Sequence, residues 1–529
     1  MSIFLFYYVE DELQAEILRA ALCRSFSVRQ VNLKQYSQYD GNIVADSHVY
    51  CLLRPRDSER LILTKLSAQG CKVVIFGALG SKFSGDIGVE VNPLPQAVDA
   101  WGDIKATLGR AYDVTATKIV YKTNQVRSLL YLGYQQRPLS RYDFTDEWNT
   151  LGFGRITVDG GVWSLSQLAT VTGATPLAHV VDEQGKVLAV YAAIANTPVS
   201  SILWFNRAVG PIDSLEWTII ENFCSHYRAD ELVCIPHIME IPAGYEGAVT
   251  MRLDCDQGIA TARPLFELYQ ELGVPLSLAV VTGLPPQSND MAFLKEVLTH
   301  GGAVVSHSCT HPPNWGVDYA AALQEAKDSK AWLEANLPEA GTINYAVSPF
   351  HQNPPYAVQA LADADYMGFV GGIIHNDPEY LLGRSGQVPL CDKPLISHSQ
   401  QCMLHGDCYH RYGNSMEPYC ESFAHHFKAG LLFGYLDHPF SAAYQYGWDT
   451  EEERLSAHRD FLTFIQSQGD IWFPNLVQCL DFVRKRSLLN IDVDETQSLR
   501  VQWQSTQVPL QATPPLQVGW RGETIPISA

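Results

Sequence analysis

Residues 248–256 read AVTMRLDCD, an apolar run that ends in two acidic residues separated by a cysteine. The apolar part has the length and composition of a buried strand, so Asp254 and Asp256 stand at its carboxyl end. The same order recurs about fifty residues later, where a predicted strand at 303–306 is followed directly by His307 to His311, which read HSCTH. A carboxylate beside two imidazoles is a ligand set typical of a hydrolytic divalent-metal site.

A strand-and-helix rhythm surrounds these stretches and sets the fold of the C-terminal half. Strands are predicted at Ala248 to Leu253, Leu276 to Val281, Ala303 to Ser306, Ile343 to Val347, Met367 to Val370 and Leu431 to Leu436. Helices are predicted at Ala260 to Leu272, Met291 to His300, Tyr319 to Leu337, Ala357 to Ala364, Glu451 to Ser467 and Leu476 to Arg484. Repeated units of this kind close into a barrel more readily than into an open sheet. We therefore expect a distorted (β/α) barrel over residues 241–487.

The rest of the chain predicts three further regions. Residues 1–115 alternate apolar strands with helices and predict a doubly wound α/β domain without a glycine-rich phosphate motif. Residues 116–240 contain strand-like runs, among them 154–158, with a turn at Gln184-Gly185, and predict a β-rich segment. Residues 488–529 carry two strands on a proline-rich link and form a C-terminal tail. A chain of 529 residues is long enough for this α/β protein of several domains.

Composition narrows the classes of function. The chain has 37 Lys and Arg against 57 Asp and Glu, for a formal charge of -20. Nucleic-acid binding is therefore not expected, because phosphate recognition needs a basic surface. An amino sugar polymer gains positive charge as it loses acetyl groups and suits such a chain, although acidic surfaces are also ordinary. The 12 cysteines form no CxxC pair and are typical of reduced, buried side chains.

The N-terminus and the hydropathy pattern bear on location. The first ten residues, MSIFLFYYVE, lack a basic start and end in an acidic residue, which argues against a signal peptide. No segment has the uninterrupted apolar length that spans a bilayer. We therefore expect a cytoplasmic protein, or an envelope-associated or secreted one if the sequence is a trimmed form.

Three short motifs occur in a fixed order in the C-terminal half. They are RLDCDQ at residues 252–257, the pair of histidines at His307 and His311, and Leu436-Asp437-His438. Together they resemble the polysaccharide deacetylase (NodB-homology) superfamily over about half of the chain. The cysteine between the two aspartates makes the first motif similar to that of Pel-type exopolysaccharide deacetylase domains and related amino sugar deacetylases. The resemblance implies a distorted βα barrel that removes N-acetyl groups with one divalent metal ion.

The resemblance also assigns roles to five residues. It implies that Asp256, His307 and His311 bind one divalent transition metal ion, with zinc as the first candidate before cobalt, nickel and manganese. Asp254 is then the general base, and His438 protonates the leaving nitrogen.

Two further residues near these motifs, Trp315 and His351, are candidates for sugar contact, with core packing as the more common role for each. The family's third motif normally carries an arginine that pairs with the base, but the matching residues 346–355 contain none. Arg252 is the candidate replacement, because strand alternation places it on the same face as Asp254.

The predicted function is a metal-dependent hydrolase that cleaves the amide C–N bond of an N-acetylated amino sugar polysaccharide or oligosaccharide. Two alternatives are kept. One is a small-molecule amidohydrolase of the allantoinase-like branch, built on the same barrel. The other is a catalytically silent carbohydrate-binding protein.

Overall fold

The structure is a computed structural model, which describes most of the chain. The described residues are 1–39, 48–93, 118–122, 136–138, 165–182, 184–207, 214–285, 289–371, 384–398, 402–494, 496–504 and 513–527. The strand predicted at residues 154–158 lies outside the described residues. All 12 cysteines are free thiols, as their scattered positions predict. Within the described residues, no helix is both long and apolar enough to cross a membrane.

The first 240 residues contain twelve strands and four helices among those described. The strands are β1 (Ser2–Tyr7), β2 (Val31–Gln35), β3 (His48–Leu53), β4 (Lys72–Phe76), β5 (Val89–Asn92), β6 (Lys118–Tyr121), β7 (Gln136–Pro138), β8 (Leu168–Val171), β9 (Thr175–Val181), β10 (Val187–Asn196), β11 (Ser201–Phe205) and β12 (His237–Ile238). The helices are α1 (Glu12–Ser25), α2 (Arg60–Ala68), α3 (Ser81–Asp86) and α4 (Ser214–Ser225). Helix α4 is not among the sequence predictions.

Nine of these strands form one sheet in the order β2-β1-β3-β4-β11-β10-β9-β6-β7. The first five are parallel and the others antiparallel. The predicted turn at Gln184-Gly185 joins β9 to β10, and the Gly185 N–H donates to the Asp182 carbonyl at 3.0 Å. Strand β11 pairs with β4, so the sheet runs across the predicted boundary at residue 115. The division into domains stays a prediction.

Helices cover both faces of this sheet. Helices α1 and α4 pack on one face against residues such as Leu5, Val74 and Phe205. Helices α2 and α3 pack on the other face against residues such as Val73 and Ile75. Every residue of β4 is buried, and after Lys72 its sequence is a continuous apolar run. This is the pattern expected of a strand covered on both faces.

The second sheet begins at residue 247. Its strands are β13 (Gly247–Cys255), β14 (Ser277–Val280), β15 (Ala303–Ser306), β16 (Tyr345–Val347), β17 (Gly368–Val370), β18 (Gly386–Gln387), β19 (Ile396–His398), β20 (Cys402–Met403), β21 (Leu432–Asp437) and β22 (Ile471–Trp472). Its helices are α5 (Arg263–Glu271), α6 (Asp290–Thr299), α7 (Tyr319–Asn336), α8 (Pro355–Asp363), α9 (Gly406–Arg411), α10 (Glu417–Lys428), α11 (Glu451–Gln466) and α12 (Leu476–Ser487). All six predicted strands and all six predicted helices of this half are present, within a few residues of their predicted ends.

The second sheet is a curled sheet of mainly parallel strands. Its order is β18-β19-β17-β16-β15-β14-β13-β21-β20, and β22 also pairs with β13. Ile396 on β19 and Leu432 on β21 come from distant strands yet share one apolar cluster with Leu480 of α12, which requires the sheet to curl around that cluster. Within the described residues β19 and β20 do not pair with each other, so the barrel is distorted and open on that side.

The C-terminal tail contains β23 (Leu489–Val493), β24 (Leu499–Trp503), β25 (Gln517–Trp520) and β26 (Glu523–Pro526). Strands β23 and β24 form a hairpin. Strand β25 pairs with both β26 and β12, so the tail packs back on the segment that precedes the second sheet.

Candidate functional site

The predicted motifs meet at one edge of the second sheet. Strands β15, β14, β13 and β21 are neighbours in that order, and parallel strands bring their carboxyl ends to the same edge. Five side chains gather there in one buried cluster, namely Asp254, Asp256, His307, His311 and His438.

Three of these side chains direct donor atoms at a common point. Nε2 of His307 lies 3.1 Å, and Nε2 of His311 3.4 Å, from Oδ1 of Asp256. The ligand atoms of the three residues all lie within 4.8 Å of one another. Ligands bound about 2.0–2.2 Å from one ion are separated by roughly 3.0–3.5 Å in tetrahedral or octahedral geometry. The three residues therefore fit one transition-metal ion.

Hydrogen bonding sets which nitrogen of His307 faces this point. Its Nδ1–H donates to the carbonyl of Val347 at 3.0 Å, so the lone pair of the neutral ring is on Nε2. Within the described residues, Oδ1 of Asp256 is buried and accepts no hydrogen bond of acceptable geometry. When the His307 ring is neutral, its Nε2 and this oxygen bring two lone pairs together, and a cation between them would satisfy both.

A tight loop presents His311 to the site. Ser308 and His311 have φ angles of 65° and 55°. This conformation costs free energy, and it persists because other contacts offset the cost. The hydroxyl of Ser308 accepts from the His311 N–H at 3.0 Å. A carboxylate oxygen of Glu325 on α7 accepts from the N–H groups of Cys309 and Thr310, each at 2.8 Å. These bonds hold the loop so that both histidines face the same point.

Asp254 is held by an arginine and is not one of the three side chains that face the common point. Nε of Arg252 donates to Oδ1 of Asp254 at 2.8 Å and Nη2 to Oδ2 at 3.2 Å, with both side chains buried. The prediction that Arg252 shares a face with Asp254 is confirmed. Oδ2 of Asp254 lies 4.0 Å from Nε2 of His307, so this carboxylate borders the proposed metal position without being required as a ligand.

The electrostatics of the cluster favour a positive charge at its centre. Burial alone would lower the pKa of His307, but the charges of Asp254 and Asp256 outweigh it and raise that pKa. Burial raises the pKa of Asp256, yet the histidines around it lower that pKa below its usual value. Burial, together with the neighbouring His307, lowers the pKa of His311 to about 4, so this ring is neutral and able to bind a metal near pH 7.

Tyr446 joins the two sides of the site. Its hydroxyl donates to Oδ2 of Asp256 at 3.1 Å. Its ring stacks on His438, with centroids 4.0 Å apart and 9° between the planes. Nε2 of His438 lies 3.7 Å from the same carboxylate oxygen. Tyr446 therefore contacts both a proposed metal ligand and the proposed acid.

Two glycines hold Tyr446 in place. Gly447 has a φ of 75°, and a Cβ at Gly447 would lie 2.6 Å from the backbone nitrogen of Asp407. The N–H of Gly406 donates to the carbonyl of Tyr446 at 3.0 Å. A side chain at Gly406 would collide with Gly447, so the two backbones approach only because both residues are glycine.

Asp437 points away from the metal position, as expected for the strand neighbour of His438. It is fully buried and accepts hydrogen bonds from Nε of Arg454 at 2.6 Å and from Nε2 of His458 at 2.8 Å. Burial raises the pKa of Asp437, but Arg454 and His458 outweigh it and lower that pKa to about 2. Its Oδ1 accepts from the backbone N–H of His438 at 2.7 Å, which fixes the start of the loop.

The two predicted sugar contacts occupy buried positions. Trp315 is 1% exposed and packs in the hydrophobic core around the barrel, which favours a packing role, and its contact with a sugar stays a prediction. His351 is 6% exposed, and its pKa falls to about 3 because of burial and the charge of Arg252. Phe350 is 49% exposed, and its ring centroid is 4.7 Å from that of His311. The role of His351 in substrate binding stays a prediction.

Sequence reasoning missed Tyr446 and Phe350. Neither residue follows a predicted strand directly, and 25 tyrosines and 21 phenylalanines give no signal by type. The one available signal was indirect, since Phe350 lies inside the stretch that matches the third family motif.

Solved structures of carbohydrate-active enzymes are similar to this chain. The carbohydrate deacetylase Agd3 aligns over 100% of this chain and 98% of its own, at 9% identity and a TM-score of 0.38. A family 4 carbohydrate esterase from Streptomyces lividans, in complex with acetate, aligns over 45% of this chain and 96% of its own, at 11% identity and a TM-score of 0.29. A family 4 acetyl xylan esterase from Clostridium thermocellum, in complex with cobalt, aligns over 45% of this chain and 92% of its own, at 13% identity and a TM-score of 0.31.

No protein-family model matches the chain, and no curated protein sequence matches it. Because the three TM-scores are below 0.5, these likenesses carry no argument about the function of this chain.

Proposed function

We propose that the chain is a metal-dependent hydrolase that removes N-acetyl groups from an amino sugar polysaccharide or oligosaccharide. The observation that carries the proposal is the arrangement of Asp256, His307 and His311 around one point, with a separate carboxylate, Asp254, at its border. Three protein ligands leave positions free for water and substrate, as in catalytic metal sites.

Each residue of the cluster has a distinct task in amide hydrolysis. A divalent transition metal bound by Asp256, His307 and His311 would acidify a water molecule and polarise the acetyl carbonyl. Asp254 accepts a proton from the attacking water, while Arg252 keeps it ionised and oriented. Burial raises the pKa of Asp254, but the charge of Arg252 and of nearby histidines lowers it below its usual value.

His438 is suited to protonate the departing amine. Its Nε2 lies 3.7 Å from Oδ2 of Asp256, so the imidazole borders the proposed metal position, where the amine would depart. Stacking on Tyr446 holds the imidazole plane fixed.

The substrate class is argued from sequence resemblance and charge. The order of the three motifs is that of polysaccharide deacetylases, and the formal charge of -20 favours a product polymer that becomes cationic as acetyl groups are removed. The exposed ring of Phe350 beside His311 adds a surface on which a sugar ring can stack.

The first test is elemental analysis of the purified protein and of a His307→Ala, His311→Ala double variant. We expect about one transition metal per chain in the wild type and none in the double variant. An absence of metal in both, even after reconstitution, would favour the silent carbohydrate-binding alternative. A third variant, His300→Ala, changes an exposed histidine outside the cluster and should keep its metal.

The second test measures the reaction itself. Acetate and free amine should appear together when the wild type acts on an N-acetylated amino sugar polymer. Acetate release from an O-acetylated polymer alone would assign an esterase instead. Faster hydrolysis of small amides than of the polymer would favour the allantoinase-like alternative.

A further inference from the structure

A lysine and a cysteine that the proposed reaction does not use are in contact on one face of the first sheet. Lys72, the first residue of β4, is 0% exposed, and its Nζ lies 3.1 Å from Sγ of Cys234, which is 2% exposed. Cys234 belongs to the segment between α4 and β12. Strand alternation places Lys72 on the face covered by α4, where Nζ lies 5.9 Å from the ring centroid of Phe223.

This contact makes an unusual environment for an amine. Within the described residues, the sulfur of Cys234 is the hydrogen-bond acceptor that the structure gives Lys72. A buried ammonium beside a neutral thiol is costly, because its charge is uncompensated. The cost falls if the thiol ionises to form an ion pair, or if the amine loses its proton. Burial favours the second change, since it lowers the pKa of Lys72 while Cys234 opposes that shift.

Either protonation state places a nucleophilic nitrogen or sulfur against its partner. A thiolate is the form of cysteine that oxidants attack, and a neutral amine carries the lone pair needed for a new bond to nitrogen. The two atoms are already at hydrogen-bonding distance, so a single bridging atom needs only a small movement of either side chain.

We propose that Lys72 and Cys234 form an oxidation-dependent covalent cross-link in which one oxygen atom joins Nζ to Sγ. The oxidant is a peroxide. One peroxide oxidises the thiol to a sulfenic acid and is reduced to water. A second peroxide molecule then oxidises the pair. The amine and the sulfenic acid each lose one hydrogen, the N–O bond forms, and the peroxide is reduced to two waters. Two dithiol equivalents reverse the change and return the amine, the thiol and one water.

The cross-link would tie distant parts of the chain together. Strand β4 lies in the middle of the first sheet, between β3 and β11. The carbonyl of Cys234 accepts from Nε1 of Trp520 on β25 at 2.9 Å. A bond between Lys72 and Cys234 therefore joins the centre of the first sheet to the segment that holds the C-terminal tail, and it restricts the unfolded chain. The oxidised protein should melt at a higher temperature than the reduced protein.

Mass spectrometry of the full chain tests the cross-link directly. After treatment with hydrogen peroxide, we expect a mass gain of about 14 Da, which is one oxygen added and two hydrogens lost, reversed by dithiothreitol. Tryptic digestion should yield a linked pair of peptides, one with Lys72 and one with Cys234, with no cleavage after Lys72.

Three variants sharpen the test. Lys72→Met and Cys234→Ser should both lose the gain of about 14 Da, because each lacks one of the joined atoms. Cys224→Ser is the matched control, since Cys224 is also buried on α4 near Lys72 yet is not its hydrogen-bond partner. This variant should keep the full gain.

Other outcomes would overturn the proposal. They are an unchanged mass, a gain of about 32 Da on Cys234 with a free Lys72 amine, or a gain of about 14 Da that survives in Lys72→Met. If a variant fails to fold, the linked peptides of the wild type decide alone. The measurement involves no metal and no substrate, so it stands or falls independently of the proposed function.

Discussion

Two clusters of buried charge in this protein are built in opposite ways. One joins the first sheet to the barrel, where Arg384 forms a bidentate pair with Glu221 of α4 at 2.7 and 2.9 Å. The other is the candidate metal cluster of Asp256, His307 and His311, where Oδ1 of Asp256 is buried and accepts no hydrogen bond from the described residues. In the first cluster Arg384 and Glu221 pair directly, whereas in the second Oδ1 of Asp256 faces the rings of His307 and His311.

Two further buried arginines, Arg24 and Arg486, belong to the joining cluster around Arg384 and Glu221. Arg24 of α1 donates to the hydroxyl of Ser397 at 2.9 Å and to the carbonyl of Gln387 at 3.0 Å. Arg486 donates to the carbonyl of Arg24 at 3.1 Å. Each guanidinium thus crosses from one region of the chain to another and finds an acceptor there.

This difference gives the two clusters different roles. Buried charges that satisfy one another fix how two regions pack, and they become costly when one partner is removed. Buried donor atoms that face an open point have a cost in the free protein that a bound cation removes. The first cluster should therefore govern stability, and the second should govern metal binding and rate.

The largest effect is expected at Asp254. Asp254→Asn should lower the rate of acetate release about 10²–10⁴-fold, because the side chain can no longer accept the proton of water. Metal content should match the wild type, since Asp254 is not one of the proposed ligands. Steady-state assays check the rate, elemental analysis checks the metal content and circular dichroism checks the fold. All assays are run well below the melting temperature, because Arg252 loses its charged partner. A wild-type rate would remove Asp254 as the base.

The next effect concerns the joining cluster. Glu221→Gln should lower the free energy of unfolding by about 3–5 kcal/mol, because Arg384 is left as an uncompensated buried charge. The matched control is Glu231→Gln, which breaks the partly exposed pair with Arg228 and should cost less than about 1 kcal/mol. Chemical denaturation measures both. If Glu221→Gln loses metal under conditions where the protein is fully folded, the claim that the two clusters act independently is wrong.

Tyr446 tests whether the metal cluster depends on outer contacts. Tyr446→Phe keeps the ring on His438 but removes the hydrogen bond to Asp256, so metal affinity should weaken about 10–100-fold. Metal titration against a chelator of known affinity gives the dissociation constant. Tyr444→Phe is the control, because Tyr444 is 44% exposed and its ring packs edge to face against that of Tyr446. Equal dissociation constants in the two variants would show that Tyr446 does not orient the ligand.

The smallest effect is a pH dependence of stability. Burial raises the pKa of Glu221, but Arg384 outweighs it and lowers that pKa from 4.5 to about 2. Because the folded-state pKa is depressed, the contribution of Glu221 is present above pH 4.5 and is lost as the pH falls towards 2. Between about pH 5 and 3.5 the wild type should lose roughly 1 kcal/mol more than Glu221→Gln. Parallel unfolding curves for the two proteins across this range would argue against the shift.

The helices and strands of the barrel were predictable because their signals are local. Apolar runs of strand length followed by amphipathic helices occur in order from residue 247 onward, and each run is buried as a strand. The short strands β18, β19 and β20 escaped prediction, since two or three residues carry no period. Helix α4 escaped because it lies among strands, in a stretch where a β-rich pattern was expected.

The five residues at the centre of the site were also predictable. Asp254, Asp256, His307, His311 and His438 stand directly after or at the end of buried strands, and parallel strands end at a common edge. The shared face of Arg252 and Asp254 followed from alternation along one strand, whereas their ion pair is seen in the structure. Strand order and direction predict that these side chains meet at one edge, whereas the family resemblance implied their roles, which stay predictions.

Tertiary structure alone decided which other residues complete the two clusters. Tyr446 reaches Asp256 only because Gly406 and Gly447 let two loops approach, a contact between segments with no shared pattern. Glu221 and Arg384 are separated by 163 positions, so their pairing depends on how the first sheet packs on the barrel. The sequence by itself determined the strands and the residues at their ends, since backbone geometry repeats locally. Contacts between loops and between regions depend on the whole packed chain.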